Sequence, residues 1–221
     1  VQDIIEKDDI FNRAKNLAPY FQEGLMSLKD IDVVDNIRGY GMMGGIDMVM
    51  DKIYKAGIKL AKVSSGLSNN TPLIEQISKK KIPILLSTGM THLKEIRRSL
   101  NIIKKSKNTC VGILKCTSIY PAPDNSINLK AMQSLKKIFK IPVGLSDHTL
   151  DTLSCCSSVA MGGSIIEKHL TLNKKIKGAD HKISLNPTEF KKMVYTIRRI
   201  EIMLGSQKIF PTKNEQKIKE N

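Results

Sequence analysis

Two short apolar runs in this chain each end in a histidine. Ile141 to Leu145 closes on Ser146, Asp147 and His148, and Gly163 to Ile166 closes on Glu167, Lys168 and His169. The small-residue segment between them, Thr152 to Met161, is long enough for a helix crossing between parallel strands. In such a βαβ unit the C-terminal ends of both strands open onto one face, where α/β folds place their chemistry. Two imidazoles on that face either share a metal ion or are unrelated, separately satisfied side chains, and the spacing leaves both readings open. A shared ion would be Mn, Fe, Ni, Co or Zn, with water or substrate oxygens completing its shell. His92 reads as a solvated residue of a helix's first turn, and His181 as a loop residue rather than a third ligand. Asp180, beside it, is placed to hydrogen-bond substrate hydroxyls.

Other strand ends repeat the pattern. They carry Lys62 with Ser64 and Ser65, then Ser87 and Thr88, then Lys115, Thr117, Ser118 and Tyr120. Converging hydroxyls and lysines suit a phosphate or carboxylate. For any single serine the plainer reading is a cap or turn residue, but recurrence at five strand ends favours a ligand. Glu167 and Asp147 alternate with their neighbours along the strands, so they read as supporting or interior partners. Cys116 lies at a strand end near this site.

The elements that must position these residues follow from periodicity. Apolar strands are expected at Ile58 to Val63, Ile82 to Leu86 and Cys110 to Leu114, followed by the two histidine-ended runs. Helices start at Thr71 with Pro72 behind it, at Thr91, and at Asn186 with Pro187 and Glu189. Another is marked by Leu129, Met132, Leu135 and Phe139. The last helix carries the stripe Phe190, Met193, Val194, Ile197, Ile200 and Leu204 and stops at Gly205. Strands and helices alternating in this way predict a parallel α/β sheet or barrel with five strand–helix units, where a complete barrel has eight. Before them, residues 9 to 29 read as an amphipathic helix with Ile10, Phe11, Ala14, Leu17, Ala18, Phe21, Leu25 and Leu28 on one face. Two short strands around Gly39, Gly41, Gly44 and Gly45 follow.

Composition narrows the function classes. With 41% hydrophobic and 26% charged residues the chain is globular, and no apolar run approaches a membrane span. The N-terminus, VQDIIEKDDIF, lacks the pattern of a signal peptide. Four cysteines without CxxC spacing argue against structural disulfides or a thiolate zinc site and predict a reducing, cytoplasmic setting. The net charge of +15 is mostly lysine spread over the chain, without an arginine stripe or tryptophan, which disfavours nucleic-acid binding.

Taken in order, KVSSG (62 to 66), PILLSTGM (83 to 90), KCTSIYPAP (115 to 123), LKAMQSL (129 to 135), PVGLSDHT (142 to 149), GGSIIEKHLT (162 to 171) and GADHKISLNPTEF (178 to 190) resemble the sialic acid (N-acetylneuraminate) synthase family over about residues 53 to 213. The resemblance implies a TIM (β/α)8-type barrel of which this chain supplies the last five β/α units. It implies condensation of phosphoenolpyruvate with an N-acetylated amino sugar such as N-acetylmannosamine, a carbon–carbon bond-forming transfer that releases phosphate. It assigns His148 and His169 to a divalent metal, usually Mn2+, with Mg2+ or Co2+ as alternatives. Lys62, Ser65, Ser87, Ser118 and Ser146 match positions that hold the phosphate and carboxylate. Lys62, Tyr120 and Asp180 match catalytic positions, the last two near the sugar. The full-length family forms homodimers.

This chain departs from the family in several places. Leu67 stands where an acidic residue is frequent, Lys115 where a histidine precedes CTS, and Gly178-Ala179-Asp180 where GPD is usual. The family's first three strands and its C-terminal antifreeze-like domain are not represented. IFNRAKNLAPYFQEGLMSLKDIDVVDNIRGYGMMGGIDM instead resembles a C-terminal segment of class III pyridoxal-phosphate aminotransferases. The expected organisation is therefore an aminotransferase-like remnant at 1–52, a partial synthase-type barrel at 53–209 and a truncated linker at 210–221, joined near residues 49–55. Impaired synthase activity is expected for such a chain. The alternative is a non-catalytic fragment or a phosphate- or phosphoenolpyruvate-binding module.

Overall fold

The apolar spacing from Ile10 onward forms helix α1 (Ile10–Met26), as predicted. Its stripe does not reach a core. Phe11 and Leu17 are exposed, and none of the helix's described side chains is buried. Pro19 interrupts its hydrogen-bond ladder from inside. Strands β1 (Val34–Tyr40) and β2 (Met43–Met48) then pair as an antiparallel hairpin, with Tyr40 opposite Met43. The structure is a computed structural model that describes residues 9–31, 34–40, 43–48, 57–176, 178 and 180–220. Gly41, the N-terminal eight residues and the junction expected at 49–55 lie outside the described residues.

From residue 58 the short, nearly all-apolar runs behave differently, because runs too short for a helix bury their side chains as parallel strands under helices. They form a parallel five-stranded sheet in sequence order: β3 (Ala61–Val63), β4 (Ile84–Ser87), β5 (Val111–Cys116), β6 (Val143–Asp147) and β7 (Ile166–Lys168). The helices between and after them are α2 (Thr71–Lys79), α3 (Leu93–Lys105), the short α4 (Asp124–Ile127), α5 (Lys130–Phe139), α6 (Leu153–Ala160) and α7 (Pro187–Leu204). They pack on one face of the sheet. Val63, Ile84 and Leu86 meet Ile74, Ile77 and Ile103 there, and Ile113, Val143 and Leu145 meet Ile96, Met132 and Leu135. A third cluster joins Cys155 and Val159 of α6 to Met193 and Ile197 of α7. Each such side chain contributes about 1.5–3 kcal/mol by leaving water.

Curvature of the sheet comes with close approach. A Cβ at Gly144 would lie 2.1 Å from the backbone oxygen of Ile165, so only glycine lets β6 bend against the chain entering β7. Among the described residues, β3 and β7 each have one strand neighbour.

Two local expectations are corrected. Helix α2 is capped by Asn70, whose side chain accepts from the Leu73 N–H, rather than by Thr71. Helix α3 begins after His92, not Thr91, and the Glu95 carboxylate accepts from the His92 N–H at 2.7 Å. The polar tail expected as linker contains helix α8 (Lys213–Glu220), started by a reciprocal Thr212–Glu215 box. By contrast α7 starts as read, with Asn186 and Glu189 satisfying each other's N–H groups.

The strand ends also shift. The apolar runs stop at Leu86, Leu114, Leu145 and Ile166, but hydrogen-bonded pairing continues to Ser87, Cys116, Asp147 and Lys168. A ladder needs only backbone donors and acceptors beside a partner strand, so polarity alone does not end it. The polar residues therefore lie on strands and alternate between two faces.

Candidate functional site

Alternation divides the strand ends. Lys62, Ser87, Cys116, Ser146 and Glu167 fall on the concave face, opposite the helix-packed Val63, Leu86 and Leu145. Lys115, Asp147 and Lys168 fall on the helix side, which corrects the expectation that all the strand-end lysines converge on one ligand. Lys115 is buried there, donates to Thr117 Oγ1 at 2.6 Å, and has its pKa pushed down by burial.

On the concave face the predicted residues do meet. A cavity of about 350 Å3 is lined by Lys62, Ser65, Cys116, Ser118, Tyr120, Ser146 and His148, with Ser64, Gly66 and Met90 at its border. Lys62 and Glu167 belong to the two outermost strands, yet their side chains meet at 3.0 Å, because the curled sheet brings both over its centre. Glu167 also accepts from Ser146 Oγ at 2.7 Å. Ser65 Oγ accepts from the Gly89 N–H at 3.0 Å. Ser87 Oγ is fully buried at the end of β4 and has no hydrogen-bond partner among the described residues.

Glu167, read from its alternation as a supporting or interior partner, is the carboxylate bonded to both Lys62 and Ser146. One residue of this site is not singled out by the sequence, and it is Gly89. A Cβ there would lie 2.2 Å from Ser118 Oγ and 2.7 Å from Ser65 Oγ, so its missing side chain leaves the two hydroxyls room to face one ligand.

The histidines also converge. The rings of His148 and His169 are 5.3 Å apart at 60°, and Tyr120 stacks 4.1 Å from His148 and 6.0 Å from His169. His148 Nδ1 donates to the Thr117 carbonyl at 2.7 Å, which leaves the Nε2 lone pair for a cation. Asp180 reaches the other ring, 3.9 Å from His169 Nδ1, while His181 turns away to Thr171 Oγ1 at 2.8 Å. His181 therefore lies outside the pair. Among the described residues no cluster of three His, Cys, Asp or Glu side chains could hold an ion. Two imidazoles whose rings lie 5.3 Å apart could supply at most two ligands, the rest of any shell coming from water or substrate oxygens.

Protonation follows contacts. Burial would raise the Cys116 thiol, but bonds from His148, Ser65 and Ser146 outweigh it and bring the pKa down to about 7. His148 is buried, which disfavours its cation, but the Cys116 sulfur and the Thr117 carbonyl raise its pKa. Burial lowers the pKa of His169, and Asp180 offsets this in part. Burial, reinforced by Cys116 and Asp180, raises that of Tyr120, so its phenol stays a neutral donor.

A family model described as the NeuB family matches residues 47–209. The N,N'-diacetyllegionaminic acid synthase of Campylobacter jejuni is 44% identical over 170 residues, covering 76% of this chain and 51% of that protein. Human N-acetylneuraminate-9-phosphate synthase is 35% identical over 169 residues, covering 76% of this chain and 45% of that protein. The crystal structure of an N-acetylneuraminic acid (sialic acid) synthetase from Leptospira borgpetersenii in complex with citrate superposes with a TM-score of 0.73 at 33% identity. It covers 77% of this chain and 60% of that one. The chain thus spans about half the length of the curated relatives it matches.

Proposed function

Because the chain belongs to the NeuB family, we propose that its concave face is the phosphoenolpyruvate side of a nonulosonate synthase site, joining that substrate to an N-acetylated amino sugar. The observation that carries this reading is the cavity on which Lys62, Ser65, Ser118 and Ser146 converge, with Ser87, whose buried hydroxyl has no partner among the described residues, on the same face of the sheet. A buried hydroxyl without a partner costs about 1–3 kcal/mol, and an anionic oxygen would satisfy it.

Lys62 supplies the charge for the phosphate or carboxylate, Ser65 and Ser118 donate hydroxyl hydrogens, and Ser146 lines the cavity with its own proton given to Glu167. Gly89 keeps the space between two of them open. His148 and His169 would hold the divalent ion, manganese in this reading, which when bound supplies Lewis-acid polarisation of the sugar aldehyde. Tyr120 and Asp180, beside the two rings, face the sugar. The new bond forms between the enol carbon of phosphoenolpyruvate and the aldehyde carbon. Water then adds to the carbon that carried the phosphate ester, and phosphate leaves. Glu167 is in contact with Lys62 and Ser146 and is placed to hold a proton during that exchange.

Calorimetry with phosphoenolpyruvate tests the reading. Wild-type chain binds, and Ser87→Ala and Lys62→Met each weaken binding by about tenfold or more, the scale of a hydrogen bond to a charged group. Equal affinity in wild type and Lys62→Met would overturn it. Phosphate release with N-acetylmannosamine and Mn2+ distinguishes turnover from binding alone. Binding without turnover is the second reading. It is favoured by the two strands, β3 and β7, that have a single neighbour among the described residues.

A further inference from the structure

We propose that the buried ion pair Lys168–Asp147, on the helix side of the sheet, is a positioning pair that sets the separation of His148 and His169. This inference rests on the reading that those histidines take one cation.

Asp147 and Lys168 are directly opposed in the β6–β7 register, and each is followed by one of the two histidines. Lys168 Nζ donates to Asp147 Oδ2 at 2.6 Å and also to the Thr149 carbonyl. One ammonium therefore grips the residue before His148 and the residue after it. Asp147 is held in turn by the Thr149 N–H at 3.2 Å, by Thr149 Oγ1 at 2.9 Å and by Cys155 Sγ of α6 at 3.4 Å. Thr149 Oγ1 continues the network to Ser154 Oγ at 3.0 Å. Strand β7 is three residues long with one strand neighbour among the described residues, and the His169 carbonyl beyond it accepts from the Leu185 N–H at 2.9 Å, so the backbone anchors His169 from that side while the β6–β7 contact sets its distance from His148.

Stability does not explain this choice of residues. Both side chains have no exposed surface. A buried pair of this kind is commonly no better than apolar residues of the same volume, because desolvation offsets the attraction. What a charged, multiply bonded pair adds over leucine and methionine is direction. It locks two strand ends in one geometry, and two ring positions follow from it. Because the pair points away from the cavity, it acts only through the histidines.

The test is manganese titration of the full 221-residue chain, followed by calorimetry and by the electron spin resonance of free Mn2+. It is paired with ring-to-ring nuclear Overhauser contacts between His148 and His169 in the metal-free protein. The main variant is Asp147→Leu with Lys168→Met, which leaves no unpaired buried charge, and Asp147→Asn is the second. The double variant keeps the wild-type circular dichroism, binds Mn2+ 10- to 100-fold more weakly, the usual effect of losing a ligand's support, and loses the ring contact. Asp147→Asn shows a smaller loss of affinity. Wild-type affinity with an unchanged ring contact in either folded variant overturns the inference. If wild type itself binds no Mn2+ while the ring contact is still lost in the double variant, the metal reading falls and the positioning role stands.

Discussion

Two lysine–carboxylate pairs, both linking strand ends, lie on opposite faces of one sheet. Lys62–Glu167 meets at 3.0 Å with side chains 34% and 37% exposed, and Lys168–Asp147 meets at 2.6 Å with both at 0%. The chemistry is the same and the surroundings differ. Water screens the first pair, so its contribution to stability is small and its charges stay available for exchange with a ligand. The second pair is buried beside α6, where Cys155 Sγ and the Thr149 carbonyl bond to it. One face therefore keeps its charges for binding, while the other uses them to hold that face in shape.

The largest expected effect comes from breaking the buried pair from one side. Lys168→Met alone leaves Asp147 buried and unpaired, and should cost about 3–5 kcal/mol in denaturant unfolding. Lys62→Met should cost under about 1 kcal/mol in the same measurement. Equal losses would erase the contrast between the faces.

Ligand binding should reverse the ranking. Lys62→Met is expected to cost about 1.5–3 kcal/mol of phosphoenolpyruvate affinity, whereas Asp147→Asn, which reaches the cavity only through His148, costs less. A calorimetric titration of both variants decides this, and a large loss in Asp147→Asn would contradict it.

Gly89→Ala sharpens the picture of the open face. The added methyl carbon would sit 2.2 Å from Ser118 Oγ, forcing two site hydroxyls apart. An overpacking cost of about 1–3 kcal/mol is expected, together with weaker phosphate binding. Unchanged phosphate affinity would mean that Ser65 and Ser118 do not share a ligand.

The smallest effect is salt. Raising NaCl to 1 M shortens the screening length to about 3 Å. Of the two pairs only Lys62–Glu167 should respond, and the stability difference between wild type and Lys62→Met should shrink by a few tenths of a kcal/mol. A salt-insensitive difference would mean that this pair is less open to water than its exposure indicates.

Much of this architecture was legible in the residues. The runs ending at Leu86, Leu114 and Leu145 announced a parallel sheet, since runs too short for a helix bury their side chains as parallel strands under helices. Asn186 with Glu189 announced the start of α7. The histidine pair and the serines were legible because a parallel sheet puts all its strand ends on one side, whereas Asp180 belongs to a loop and was read from its place beside His181 and from the resemblance. The N-terminal stripe was less informative. Periodicity gave the helix but not a core, because burial depends on what lies opposite, and Phe11 and Leu17 are exposed among the described residues.

What the sequence determined by itself was which residues stand at the strand ends and that those ends share a side. Those follow from apolar period and crossover handedness, both local properties. What only the tertiary structure decided was the face each residue takes. A strand that runs one or two residues beyond its apolar run leaves its polar residues alternating between faces, and a shift of one residue exchanges them. That sent Glu167 to the cavity and Lys168 to the helices. The sheet's curl, set where Gly144 meets Ile165, then brought Lys62 and Glu167 together across four strand intervals. Curvature is a property of all the strands at once, which no single stretch of the chain encodes.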